Sequence, residues 1–522
     1  MSKQLPHQLS RRTFFKGMLV LTAGATLAAC TGPGGEGPGG TQRDQAEPQG
    51  FDADTRPLPI PPLDEGVIVD GVRTFDLTAA PGEAELLAGV STATWGFNGA
   101  HLGPTLRASK SDRCEVTITN NLDEMTTIHW HGMNIPAWAD GGPHSPIEPG
   151  GQWVPSWQVD QAAATLWYHP HPHGRTALHC YRGLAGMFII DDDISDALDV
   201  PREYGVDDIP VIITDQKFTD DGQLDETDDA VLGLMGDTPL INGQANVSFQ
   251  ASTQRVRLRI LNASSMRFHN IALDDDQPFH VIGTDQGLLD EPLEVDSALI
   301  GPAERVEILI ELEPGKDITL KSAGLESNFG LPDDEYAPDF RFRDTFDLLP
   351  ILAPAEDTAE AADVPVALDP AASEEPDLNG APEREFLLNT FEINGQTMDM
   401  NRVDFVIDHE GPEIWKVTNE NPDWPHNFHI HDSRFKVLGI EGTEVPDVFD
   451  SGWKDTVAIP PNATVSLAVE FGYHPDPTVP YMYHCHMLYH EDQGMMGQFV
   501  ITAPGEQADL KPMTGTQEHH GH

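Results

Sequence analysis

Four His-x-His pairs constrain this chain more than any other feature: His129-Trp130-His131, His169-Pro170-His171, His429-Ile430-His431 and His484-Cys485-His486. With 22 His in 522 residues, about one such pair is expected by chance, so a single pair is a weak signal. Four pairs, two early and two late, go well beyond that expectation. A strand sends successive side chains to opposite faces, so His484 and His486 share one face while Cys485 takes the other.

The last pair opens the run Tyr483-His484-Cys485-His486-Met487-Leu488-Tyr489-His490-Glu491-Asp492-Gln493-Gly494-Met495, which puts a thiolate, three imidazoles and thioethers within thirteen residues. A mixture of His, Cys and a weak axial Met selects an electron-transfer copper. Cys485 is expected to bind one copper on its own face, with His490 and an axial Met495 arriving from the following turn. The two flanking histidines would serve other coppers on the far side. Electrons collected at the thiolate could then pass through adjacent residues to a second centre without a diffusing carrier.

At 522 residues the chain has room for about three domains. Residues 1–30 read as an export leader: Ser10-Arg11-Arg12-Thr13-Phe14-Phe15-Lys16 is a twin-arginine signal, and the apolar stretch from Gly17 to Ala29 is too short to span a bilayer stably. Leu27-Ala28-Ala29-Cys30 resembles a lipobox, so Cys30 is a candidate for lipid attachment, with ordinary cleavage as the alternative. Residues 31–64 read as a flexible tether. These features predict twin-arginine export to the cell envelope, with Cys30 as a membrane anchor. A formal charge of −55 excludes nucleic acid as a partner. The same excess would either gather cations near the surface or adapt the chain to salty surroundings, and both readings stay open. Cys114 and Cys180 are available for a disulfide or remain two buried thiols, and spacing does not choose between them.

Short apolar-alternating segments broken by Gly, Pro and Asn, such as Cys114-Glu115-Val116-Thr117-Ile118-Thr119-Asn120, read as β-sandwich strands. The divisions expected are a first domain over 65–200 with the two early pairs and a second over 201–352 with none. An acidic linker over 353–384, a third domain over 385–505 with the late pairs and a polar tail over 506–522 complete the chain. In the second domain Arg255-Val256-Arg257-Leu258-Arg259-Ile260 alternates charged and apolar residues.

In Trp130-His131-Gly132, Trp167-Tyr168-His169-Pro170-His171, His429-Ile430-His431 and the run from His484 to Met496, the chain resembles the three-domain multicopper oxidases of the bacterial laccase and copper-efflux type. The resemblance covers essentially the whole mature length. It implies an all-β fold of three cupredoxin-like Greek-key sandwiches and four copper ions. On that likeness His129 and His429 hold a type 2 copper. His131, His169 and His486 hold one type 3 copper, and His171, His431 and His484 the other. The type 1 copper takes His426, Cys485 and His490, with Met495 axial. Such a cluster draws four histidines from each end of the chain, so the metal would staple the ends together. The implied reaction couples four one-electron oxidations of a small reductant to reduction of O₂ to two waters. Asp140 and Glu491 stand where copper-efflux oxidases carry proton-donating acids, with a turn residue and a surface acid as their plainer readings.

Copper-efflux members also carry a methionine-rich insertion before the third domain, whereas residues 353–384 here contain no Met. That departure ranks laccase-like oxidation of phenols or aromatic amines first and cuprous or other metal-ion oxidation second. Asp423, beside the type 1 region, could attract cations without selecting Cu(I). A copper-binding scaffold without oxidase activity is disfavoured, because all twelve expected ligands are in place. His144, His173, His179, His269 and His280 read as structural, Met487 and Met496 as packing, and His519, His520 and His522 as a solvated tail. A monomer is the expected state.

Overall fold

The computed structural model describes residues 55–274, 277–325, 329–332, 337–443 and 448–510. The twin-arginine segment, Cys30, most of the tether and the terminal histidines lie outside the described residues. Among the described residues six sheets pair into three sandwiches, as the all-β reading expects. In the first, one sheet is built on Val72–Ala84 paired in parallel with Arg113–Asn120. The other runs Leu63–Asp64, Thr105–Ser109, Gly186–Asp191, Ala164–His169, His129–His131. The third sandwich has the matching sheet Phe405–Ile407, Met496–Ile501, Tyr481–His484, His426–Ile430, Thr456–Ile459. Helices are only short turns between strands, none long and apolar enough to cross a membrane among the described residues.

Period-two alternation explains the local placement. Along Arg113–Asn120 the residues Cys114, Val116, Ile118 and Asn120 are buried, while Glu115, Thr117 and Thr119 are half-buried. In His129–His131 the two imidazoles turn one way and Trp130 turns the other. Trp130 enters the core of the first sandwich, with ring centroids 5.1 Å from Trp157 and 5.8 Å from Tyr168.

Residues 55–64 depart from the expected tether. Arg56–Pro57 pairs in parallel with Val247–Gln250 of the second sandwich, and Leu63–Asp64 pairs in parallel with Thr105–Ser109 of the first. The segment is ordered because each stretch completes a sheet edge whose backbone groups need partners. Cys114 and Cys180 are buried free thiols, so no bridge joins them. Leu368 of the acidic linker is buried, and its backbone N–H donates to Asp290 O at 2.8 Å, which holds the linker on the second sandwich.

The alternating strand Arg255–Asn262 is buried on both faces. Its charged face meets carboxylates: Arg257 pairs with Glu307, and Arg259 Nη1 reaches Glu307 Oε1 at 3.0 Å and Thr165 Oγ1 of the first sandwich at 2.8 Å. Burial pushes the Glu307 carboxyl up, but Arg257 and Arg259 outweigh it and hold the group at about 2. A carboxylate depressed in the folded state stabilises fully above its unfolded value, near pH 4.5, and loses that contribution as pH falls toward 2. We expect stability in urea titrations to fall by on the order of 3 kcal/mol across this window from this group. Glu307→Gln should flatten that acid limb while costing about 3 kcal/mol at neutral pH, because it leaves two buried guanidinium groups with Asp208 as their remaining carboxylate.

Candidate metal centre

The early and late histidines sit on or just past the ends of strands: His129–His131 forms one, and His169, Ile430 and His484 close the others. His131 lies opposite Trp167 and His169 opposite His129 in the first sandwich, and His429 lies opposite His484 in the third. His171 Nε2 is 3.2 Å from His484 Nε2, which is 3.3 Å from His431 Nε2. His169 Nε2 is 3.4 Å from His486 Nε2. His129 stacks on His431 and His131 on His429, both with centroids 3.8 Å apart. All eight rings are at most 1 % exposed.

The other ring nitrogens settle what these approaches mean. Nδ1 donates to Asp140 O in His129 (3.0 Å), to Pro170 O in His169 (2.8 Å), to Asp455 O in His429 (2.8 Å), to Asp140 Oδ2 in His431 (2.8 Å) and to Cys485 O in His484 (3.1 Å). A neutral imidazole carries one N–H, so each of these rings presents a bare lone pair at Nε2. These lone pairs converge on one another and on the rings of His171 and His486, and His129 Nε2, His429 Nε2 and His131 Nδ1 find no hydrogen-bond partner among the described residues. Burial also lowers His131, His169, His171, His429, His431 and His486 well below the usual imidazole range, which keeps them neutral. Buried, neutral, converging nitrogens are what a copper cluster requires. Ligand atoms within 4.8 Å of one another group as His129–His131–His169, His129–His429–His431, His171–His431–His484 and His131–His429–Asp455.

A second group lies on the other side of the same backbone. Cys485 Sγ is 3.7 Å from His426 Nδ1 and 3.5 Å from His490 Nδ1, and the two nitrogens are 3.1 Å apart. The strand ends at His484, yet the alternation persists through His486, so Cys485 points away from its neighbours as expected. His426 Nε2 donates to Asn421 Oδ1 at 2.9 Å, which frees Nδ1 as the ligand atom. Burial pushes the Cys485 thiol up to about 12, so only a bound cation would ionise it. Met495 is buried, its carbonyl accepts from Cys485 N at 3.1 Å and its N–H donates to His490 O at 3.0 Å.

Asp140 and Glu491 are buried beside the rings rather than on the surface. Asp140 closes the short helix Ala137–Asp140, and Gly141 follows at φ +81°, where a Cβ would sit 1.6 Å from Ile128 O. Glu491 spans His171 Nδ1 and His484 Nδ1, each at 3.3 Å. His173 is exposed, while His144, His179 and His269 bond to Gln498, Glu124 and Ser264. Sequence reasoning missed Asn427, whose Oδ1 accepts the His486 N–H at 2.6 Å and lies 3.5 Å from Cys485 Sγ. Its place between His426 and His429 was the available signal. Asp455 was also missed, and nothing in Lys454-Asp455-Thr456 points to it.

Three family models described as multicopper oxidase match residues 78–195, 213–319 and 368–505. The multicopper oxidase mco of Staphylococcus aureus is 34 % identical over 441 residues, covering 83 % of this chain and 89 % of that one. The cell division protein FtsP of Salmonella typhimurium is 34 % identical over 450 residues, covering 85 % and 93 %. A crystal structure of a laccase from Pediococcus acidilactici superimposes with a TM-score of 0.75 at 34 % identity, covering 87 % of this chain and 95 % of that one. Because the histidines come from both the first and the third sandwich, a metal held by them would link the two, and a ligand bound only by the folded state raises stability. A strong chelator is expected to lower the calorimetric midpoint of the copper-loaded protein, and added Cu(II) to restore it.

Proposed function

The chain belongs to the multicopper oxidase family, oxidases that couple oxidation of a small reducing substrate to reduction of O₂ through several copper sites, and from that premise we propose how its residues divide the work. Four coppers are assigned. His129 and His429 hold the type 2 ion. His131, His169 and His486 hold one type 3 ion, and His171, His431 and His484 the other. His426, Cys485 and His490 hold the type 1 ion, with Met495 axial. The observation that carries this reading is the convergence of His171, His431 and His484 at Nε2 on one side of the 484–486 backbone, with Cys485 Sγ facing His426 and His490 on the other.

Bound copper supplies one-electron oxidation at the thiolate site and multi-electron reduction of O₂ at the histidine cluster. Four substrate electrons and four protons balance one O₂ converted to two waters. Cys485, covalently continuous with His484 and His486, links the two centres through bonds. Burial of every proposed imidazole excludes bulk water, so protons need a relay. Asp140 Oδ2, on His431 Nδ1, and Glu491, between His171 and His484, each stand one ring away from the cluster and are assigned that role.

The reductant is assigned as a phenol or aromatic amine, since residues 353–384 lack the thioethers that would gather Cu(I). Metal-ion oxidation is the second reading, because the carboxylates of the linker and Asp423 beside the type 1 region would attract cations. Domain limits near 200, 352 and 385, twin-arginine export to the cell envelope and a lipid anchor at Cys30 belong to the same proposal. The likeness to a cell division protein raises a scaffold role, against which stand the ten histidines, Cys485 and Met495 retained together.

Cys485→Ser is expected to abolish the blue thiolate absorption and to reduce O₂ uptake by at least about 100-fold, a loss of roughly 2.7 kcal/mol in transition-state terms. Undiminished uptake would overturn the assignment. Turnover of a phenolic dye independent of added Cu(II) supports the laccase reading, and dependence on added Cu(II) supports the metal-ion reading.

A further inference from the structure

The middle sandwich offers none of the proposed ligands, yet it reaches the cluster through Arg305. This residue opens the strand Arg305–Glu311 and is fully buried. A guanidinium has five N–H donors, and here each has an acceptor. Nε donates to Thr165 O at 3.0 Å, Nη1 to Ala303 O at 2.9 Å and Asp455 Oδ1 at 2.9 Å, and Nη2 to Asp285 O at 2.8 Å and Asp455 Oδ2 at 2.6 Å. One side chain thus bonds all three sandwiches, and its two-pronged grip fixes the plane of the Asp455 carboxylate.

Asp455 passes that orientation to two proposed ligands from opposite ends of the chain. Its Oδ1 accepts His131 Nε2 at 3.0 Å, and its backbone carbonyl accepts His429 Nδ1 at 2.8 Å. The two bonds put the ring protons on opposite nitrogens, leaving His131 Nδ1 and His429 Nε2 as the lone pairs, and these are the two atoms without protein partners. Asp455 also lies within ligand range of both histidines. Its oxygens are already engaged, Oδ1 by His131, Arg305 and Thr456, and Oδ2 by Arg305 and Gln286, so the carboxylate orients and does not ligate. Gly132 leaves room for this arrangement. It has φ +85°, and a Cβ there would stand 2.6 Å from Asp455 Oδ2 and 2.9 Å from Arg305 Nη2.

We propose that Arg305 and Asp455 are positioning residues through which the middle sandwich selects the ring tautomers of His131 and His429 and so sets the copper affinity of the histidine cluster. The proposal rests on the copper assignment above. An acceptor at Asp455 Oδ1 keeps the His131 proton on Nε2, whereas an amide N–H in its place would push that proton to Nδ1, where the metal binds.

The test reconstitutes wild-type protein, Asp455→Asn, Asp455→Glu and Arg305→Lys with copper and reads three quantities: copper per chain, the blue absorption of the Cys485 site, and the electron paramagnetic resonance of the non-blue copper. Asp455→Asn is expected to keep the blue absorption while cluster affinity falls about 10–100-fold and the non-blue resonance shifts. Asp455→Glu, which retains an acceptor, should recover part of the loss, and Arg305→Lys should fall between. Unchanged affinity and resonance in Asp455→Asn overturn the proposal. So does loss of blue and cluster copper together in all three variants, the mark of a general folding role. Absence of blue absorption in the wild-type protein would instead overturn the copper assignment itself, and this inference with it.

Discussion

Eight imidazoles share one buried volume, and ring nitrogens of several of them approach one another at 3.2–3.4 Å. Left alone, such an arrangement is unfavourable, because buried acceptors without donors forfeit the hydrogen bonds they had in water. Metal ions held by these groups would supply the missing partners. Much of the surrounding architecture serves this one constraint. The rings have to stay neutral, their protons have to sit on the outward nitrogens, and the two sandwiches that supply them have to be held in register.

For His131, His169, His171, His429, His431 and His486 neutrality follows from burial, and proton placement follows where acceptors are aimed at the outward nitrogens. Backbone carbonyls of Asp140, Pro170, Asp455 and Cys485 do most of this, which makes the tautomers depend on main-chain positions more than on side-chain identity. The carboxylates Asp140, Glu491 and Asp455 face nitrogens of His431, His171, His484 and His131. Asp140 and Glu491 differ from Asp455 in their surroundings: neither meets an arginine in the contacts described, whereas Asp455 is locked by Arg305. A locked carboxylate suits orientation, and one free of a permanent cation suits proton exchange.

Register falls to the middle sandwich. Its buried arginines look outward into the neighbouring sandwiches, so charge pairs that bring little net stability in isolation instead fix how rigid bodies meet. Arg259 meets Thr165 of the first sandwich, and Arg305 meets Thr165 and Asp455 of the first and third. The short strands Arg56–Pro57 and Leu63–Asp64 add a backbone lace between the first and second.

Much of the chemistry was legible in the residues alone. The His-x-His pairs, the alternation that sets Cys485 against His484 and His486, and the period-two strands are all local, and local geometry is what sequence encodes directly. The ordered stretch 55–64 was not legible, because pairing at a sheet edge depends on a distant partner and Pro-rich composition reads as tether. Nor was the burial of Arg255, Arg257 and Arg259, since an alternating charged face looks solvent-exposed until a second body covers it. By itself the sequence determined which residues are candidate copper ligands and on which side of the backbone each lies. Only the tertiary structure decided which lone pairs meet, which carbonyls hold their protons away, and that Arg305 from a ligand-free sandwich grips the carboxylate between them. Those outcomes depend on where separate sandwiches dock, and no spacing along one strand specifies that.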